Sequence, residues 1–211
     1  MRIFAFTPFA FAIVAIMMVG FTKPATAADP VRYEFDKTHS SVMFFVSHLG
    51  FSMSTGRFLD FDGYYTFNPD APETSEVDVT IKTDSLVMHD DRWDAHMKNE
   101  DFFHVEKFPE MSFKSTEVTK TGDNTGILKG DLTLLGVTKP VELAVTLVGA
   151  GKHPMAPRLV SGFSATGKLK RSDFGMTYGL PNVGDEVEIR IEIEGFKEVS
   201  GTMTAQGEEK Q

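Results

Sequence analysis

The chain has 211 residues, no Cys and a formal charge of −9. Without thiols it has no disulfides, no thiol catalysis, no Cys-ligated zinc and no iron–sulfur chemistry. Its acidic balance works against holding nucleic acid or an anionic membrane surface by charge.

Residues 1–27 read as an export signal. Arg2 supplies the basic start, an apolar run follows from Ile3 to Phe21, and Ala25-Thr26-Ala27 is a small-residue cleavage site. An uncleaved anchor is the other reading, but no basic stop-transfer cluster follows the run. Cleavage after Ala27 leaves 184 residues. It also removes two cations, Arg2 and Lys23, and no acid, which takes the charge to −11. That length fits one domain, expected over residues 28–199, with residues 200–211 as a polar tail.

Strand-like segments then follow one another. Val31 to Phe35 is short, and His39 to Leu49 is a long aromatic and β-branched run. Arg57 to Phe67 places Phe61, Tyr65 and Phe67 on one parity and Phe58 on the other, which predicts a bulge near Asp60. Asn68 to Pro72 is a turn, and Glu76 to Thr83 alternates Val77, Val79 and Ile81 with polar residues.

Asp90 to Lys98 breaks the pattern. Acids at its start and Lys at its end suit a helix dipole, and Trp93 and Met97 share a helical face. Strands resume at Glu110 to Val118, Thr125 to Leu135, Val141 to Val148, Leu159 to Lys170 and Asp185 to Phe196. Turns are expected at Gly122 to Asn124 and at Gly136 to Pro140. The last strand is the most regular, with Val187, Ile189, Ile191 and Ile193 opposed to charged neighbours.

This pattern predicts an all-β fold, an antiparallel barrel of about eight strands with one short helix near residues 90–98. A sandwich is the alternative, but the strands are long and each has one strongly apolar face. An outer-membrane barrel would turn that face toward lipid, and the charged opposite faces and the interposed helix argue against it.

Few residues invite chemistry. His89 and His96, seven apart, share a helical face if the helix starts early enough, and with His104 they lie near Asp90, Asp94 and Glu100, but their spacing matches no metal motif, so no metal is expected. His48 ends the parity Val42, Phe44, Val46. It is either a histidine satisfied by backbone groups or a polar anchor in an apolar pocket. No G-x-S-x-G occurs, and Gly130 and Gly162 read as close contacts or bends within strands.

Five stretches, "HSSVMFFVSHLGFS", "GRFLDFDGYYTF", "HMKNEDFFHVEKFPEMSFKST", "GDLTLLGVTKPVEL" and "EVEIRIEIEGF", resemble the YceI-like family in order and spacing, from about Tyr33 to Phe196. The resemblance implies an extended lipocalin-like barrel with a hydrophobic tunnel, a periplasmic location, and a long isoprenoid or similar amphiphile as ligand. It also implies that Val42, Phe44, Val46 and His48 point inward, a register that periodicity leaves open because Met43 and Phe45 are equally apolar. The family's helix usually reads Arg-Asp-x-His-Leu. Here Trp93 stands at the Arg position and Arg92 precedes it. The polar contact of that Arg is therefore not carried over, and Trp93 offers an aromatic wall instead.

The expected lipid-contacting wall is Val42, Phe44, Val46, His48, Phe67, Val79, Ile81, Trp93, Met97, Phe113, Leu132 and Leu134. The expected role is periplasmic binding, transport or sequestration of a polyisoprenoid or isoprenoid quinone. No catalysis, catalytic cofactor, nucleic-acid partner or lasting membrane anchor is expected, and a homodimer is compatible with the pattern. A stress-protective adaptor whose barrel is filled by its own aromatic residues is the main alternative. An enzyme acting on a lipid head group through His48 or His96 is another.

Overall fold

The computed structural model describes residues 29–198. The expected signal segment 1–27 and the tail from residue 200 lie outside the described residues. Eleven strands form one antiparallel sheet: β1 Val31–Phe35, β2 Ser41–His48, β3 Ser52–Phe58, β4 Phe61–Phe67, β5 Val77–Lys82, β6 Leu86–Val87, β7 Glu110–Lys120, β8 Thr125–Leu134, β9 Val137–Lys152, β10 Arg158–Lys170 and β11 Val183–Glu198. One helix, α1 Asp91–Lys98, lies between β6 and β7.

Eight strands close a ring in the order β1-β4-β5-β7-β8-β9-β10-β11, sealed by Glu34 and Phe35 of β1 against Phe196 and Gly195 of β11. The N-terminal half of β11 pairs instead with β2, from which β3 and β6 continue the sheet. β11 can serve two neighbours along one edge because it is sixteen residues long, and it alternates apolar with charged residues from Val187 to Glu194. Its outer face is charged: Lys168 on β10 reaches Glu186 at 2.7 Å and Glu188 at 3.2 Å. The apolar residues of the ring turn inward and form one main core.

The two ends differ in construction. At one end lie the β2–β3 and β8–β9 turns, α1, the 99–109 loop and the 171–182 segment. At the other lie the start of β1, the β7–β8 turn and the β9–β10 hairpin, where the Leu147 amide donates to the Asn124 carbonyl at 2.8 Å. Asp90 caps α1 by accepting from the Trp93 amide at 3.1 Å, satisfying one of the free N–H groups of the first turn. Thr83 fastens the 99–109 loop to the wall, its hydroxyl donating to the Phe108 carbonyl at 2.7 Å and its amide to that of Pro109 at 3.0 Å.

Three expectations about elements need correction. The segment from Arg57 to Phe67 is two strands and not one, broken at Leu59-Asp60; both run in the same direction, antiparallel to β5 and β6, and the parity change marks the shift of register between Phe58↔Leu86 and Phe61↔Ile81. The turn placed at Gly136 to Pro140 is only Leu135-Gly136, both at positive φ (51° and 74°), and β9 runs straight through Pro140. His89 lies outside the helix, at φ 70°, and so shares no helical face with His96. Gly130 does mark a close approach. A Cβ there would fall 2.3 Å from the Phe113 ring. Gly162 sits at a register shift between β9 and β10.

Candidate functional site

The barrel encloses a cavity of about 490 Å³, within the range usual for ligand sites, roughly 300–1,000 Å³. Its wall is built by period two. On β2, Val42, Phe44 and Val46 are buried and face the cavity, with His48 at the rim. β4 contributes Phe67, β5 Val79 and Ile81, β7 Phe113, and β8 Leu132 and Leu134. Trp93 and Met97, four apart on α1, close one end from the side. All twelve residues expected at the wall therefore line a single cavity.

Several lining residues escaped the expected set. Leu143, Ala165 and Ile191 stand on inward parities of strands that were recognised, so alternation alone would have found them. Phe102, Phe103 and Met176 come from connecting segments, where no periodicity advertises them. Phe103 packs between Phe44 (6.2 Å between centroids) and Phe58 (5.4 Å), thickening the floor beneath α1.

Two polar groups on the wall, Arg171 and Tyr65, are held by the protein itself. Arg171 is buried, and its guanidinium donates to the carbonyls of Gly184 (2.7 Å), Met176 (3.1 Å) and Val183 (3.0 Å). Burial works to lower its pKa, and Asp185 nearby opposes that. The Ser172 amide and hydroxyl hold the Asp185 carboxyl below the usual range. At the opposite end Tyr65 donates to the Ser161 carbonyl at 2.9 Å and shares a 2.7 Å bond with the Ser161 hydroxyl, while stacking on Tyr33 at 5.2 Å. Burial pushes both phenols up, with the Ser161 bond opposing. Neither tyrosine is poised to ionise near neutral pH.

The cavity reaches the surface at both ends of the ring. At the α1 end its lining includes Trp93 (36% exposed) and Tyr178 (48% exposed), with His48 6.4 Å from Trp93 and His96 5.3 Å from Tyr178 between ring centres. At the other end the lining includes the exposed, polar Lys120, Asp123, Asn124 and Thr125.

The structure does not gather His89, His96 and His104. His96 instead pairs with Asp101 at 3.2 Å. Among the described residues, the group of three ligand-type side chains brought within 4.8 Å is Asp36, His39 and Glu194, outside the cavity. Also among the described residues, no helix is long and apolar enough to cross a membrane.

A closed antiparallel barrel around one long apolar cavity is the architecture shared with the lipocalins. The chain belongs to the YceI-like family, whose domain model matches residues 33–195. It is 42% identical over 181 residues to the UPF0312 protein of Enterobacter sp. (strain 638), covering 85% of this chain and 92% of that one. The YceI protein of Campylobacter jejuni superposes with a TM-score of 0.65 at 32% identity, over 72% of this chain and 90% of that one. A polyisoprenoid-binding domain from Saccharophagus degradans, implicated in plant cell wall breakdown, superposes with a TM-score of 0.59 at 15% identity, over 79% of this chain and 98% of that one, a likeness of fold.

Proposed function

We propose that this protein carries or sequesters a long-chain amphiphile, a polyisoprenoid or isoprenoid quinone, inside its barrel. One observation carries the reading: a single apolar cavity runs from Trp93 and Tyr178 at one end to Asn124 and Thr125 at the other. That shape suits a chain and not a compact metabolite. Each methylene buried contributes about 0.8 kcal/mol, and association costs of roughly 4–15 kcal/mol must be overcome. A ligand long enough to fill the cavity meets that condition and a short one does not. The polyisoprenoid-binding relative in fold supports this class of ligand. No covalent step is invoked, because Arg171 and Tyr65, the wall's strongest polar groups, are already engaged.

The proposed place of action is the periplasm, with residues 1–27 as a cleaved signal and residues 28–199 as the mature domain. The mature N-terminus, read by mass spectrometry on protein from its native envelope, is expected at or within a few residues of Ala28.

The direct test is solvent extraction of native protein followed by mass spectrometry, with two variants. Leu134 faces the cavity and is 6% exposed. Leu134→Glu puts a carboxylate there that must protonate or draw in water, and either response removes wall the chain must touch. Thr133 points outward, its hydroxyl 2.9 Å from that of Thr138. Thr133→Glu adds the same charge outside. Among variants that retain the β-sheet circular dichroism, Leu134→Glu is expected to lose bound lipid and Thr133→Glu to keep it. Equal retention by both sinks the proposal.

A further inference from the structure

We propose that the protein docks on a lipid bilayer through the β2–β3 turn and the adjoining rim, which sets the aromatic mouth of its cavity against the membrane. The turn, Leu49-Gly50-Phe51, carries exposed apolar side chains: Phe51 is 90% exposed, Leu49 49% and the neighbouring Met53 48%. Folding gains nothing by showing them to water, and Leu49 also adopts φ 54°, a conformation seldom taken by a branched apolar residue. An apolar residue in a strained, exposed position points to a contact made outside the chain.

The patch is continuous with the cavity. Leu49 follows His48, which lines the rim beside Trp93, and the Leu49 amide donates to the Asn182 carbonyl at 2.8 Å, joining the turn to the segment that carries Tyr178. Exposed Trp and Tyr rings around an apolar tip are the side chains that settle at the boundary between head groups and acyl chains. The opposite mouth has Lys120, Asp123, Asn124 and Thr125 instead. Val148 and Met155 are exposed at that end but do not line the cavity. Scattered apolar residues of that kind are ordinary.

Charge selects the type of surface. Asp90 and Asp91, both exposed, immediately precede Arg92 beside Trp93, so the rim carries no cationic excess for anionic lipid. The expected target is a zwitterionic bilayer. The inference rests on the lipid-carrier reading for its purpose, but its measurement is separate.

The test uses the mature protein and phosphatidylcholine vesicles. Trp93 is the sole tryptophan and stands at the rim, so its emission reports directly. Vesicles are expected to shift it to the blue, and brominated phosphatidylcholine to quench it. Leu49→Asn with Phe51→Ser keeps a residue that tolerates the left-handed turn while removing the apolar tip. It is expected to lower vesicle partitioning at least tenfold in co-sedimentation, with unchanged circular dichroism. Val148→Ser with Met155→Ser is expected to leave partitioning unchanged. Failure of the wild-type protein to bind, or equal binding by the tip variant, overturns the proposal. So does a dimer, seen by sedimentation equilibrium, that the tip variant breaks while vesicles bind neither form. Lipid content after extraction is scored independently: protein that holds lipid but ignores vesicles refutes docking alone, and protein that docks but yields no lipid refutes the carrier reading alone.

Discussion

Ala165 offers a test of whether the barrel interior is space for a ligand or a self-filled core. It lies on β10, paired with Val145 and Ile191, faces the cavity and is 9% exposed. Its inward neighbours on the strand are Phe163 and Gly167, so the wall steps back from the Phe163 ring at this point. Replacing it with Phe sends a ring into a cavity of about 490 Å³. If that volume is free in the ligand-free protein, the ring buries its apolar surface at no packing cost and stabilises the fold by about 2 kcal/mol. For a chain of this size that raises the Tm by roughly 4–8 °C. The same ring displaces lipid. Losing room for three methylenes costs the ligand about 2.4 kcal/mol, close to a fiftyfold loss of affinity. In a barrel filled by its own aromatic residues the ring has no room, and overpacking costs about 1–3 kcal/mol. The assay is thermal unfolding of delipidated Ala165→Phe by circular dichroism, with lipid content of the native preparation by extraction. A higher Tm with lipid lost is expected. A lower Tm with lipid content unchanged refutes the reasoning, because it means that the space is neither empty nor used.

Two further outcomes follow from the polar clasps. Arg171→Met leaves three backbone carbonyls without their donor and is expected to cost roughly 3 kcal/mol or more in urea unfolding. Arg171→Lys recovers only part of that, since an ammonium has no planar fork to span three acceptors. Asp36 and His39 give the pH dependence. The hydrogen bond to Asp36 (3.0 Å) raises the His39 pKa, and on Asp36 partial burial pulls upward but is outweighed by the bonds from His39 and the Thr38 amide, leaving it low. The His39 contribution is complete below its unfolded pKa of about 6.5 and fades as pH rises through its raised folded value. The Asp36 contribution is complete above about 3.9 and fades as pH falls through its lowered one. The stability difference between wild type and His39→Gln is therefore expected to peak between about pH 4 and 6.5. A difference that does not vary with pH would refute this pairing.

The ring was legible wherever one face is apolar and the other charged. β5, β8 and β11 carry that alternation in plain view, and their inward residues could be named from parity. β3 could not be seen. Its "SMSTGRF" buries Ser54 and Gly56 before its one large inward side chain, Phe58, and a Cβ at Gly56 would fall 2.4 Å from both the Phe44 ring and the Met88 sulfur. A strand chosen for smallness leaves no apolar rhythm. Pro140 misled for a related reason. Proline usually interrupts a sheet, but β10 stops pairing with β9 at Leu143, so no neighbour on that side asks Pro140 for an N–H.

The candidate site divides along the same line. Its walls were readable because strands enforce period two, which names six of the twelve residues; the β2 register of Val42, Phe44, Val46 and His48 came from the family resemblance, and α1, found from its charge polarity and the Trp93–Met97 spacing, supplies the other two. Its closure was not readable. Phe102, Phe103, Met176 and Tyr178 reach the cavity from segments whose course is set by long-range clasps: Thr83 to Phe108 and Pro109, Arg171 to Met176 and Val183, and Asp94 to the Met88 amide. None of those pairings has a spacing signature, and each polar partner looks like an ordinary surface residue until the fold buries it. The consequence is physical as well as predictive. The cylinder rests on many ladder bonds and one continuous core, whereas the α1 end rests on a few side-chain bonds worth roughly 1–3 kcal/mol each. Opening that end costs far less than unfolding the barrel, so hydrogen exchange is expected to be faster in residues 99–109 and 176–182 than in β8 to β11. Equal protection across both would mean that lipid has no low-cost way in through the aromatic mouth.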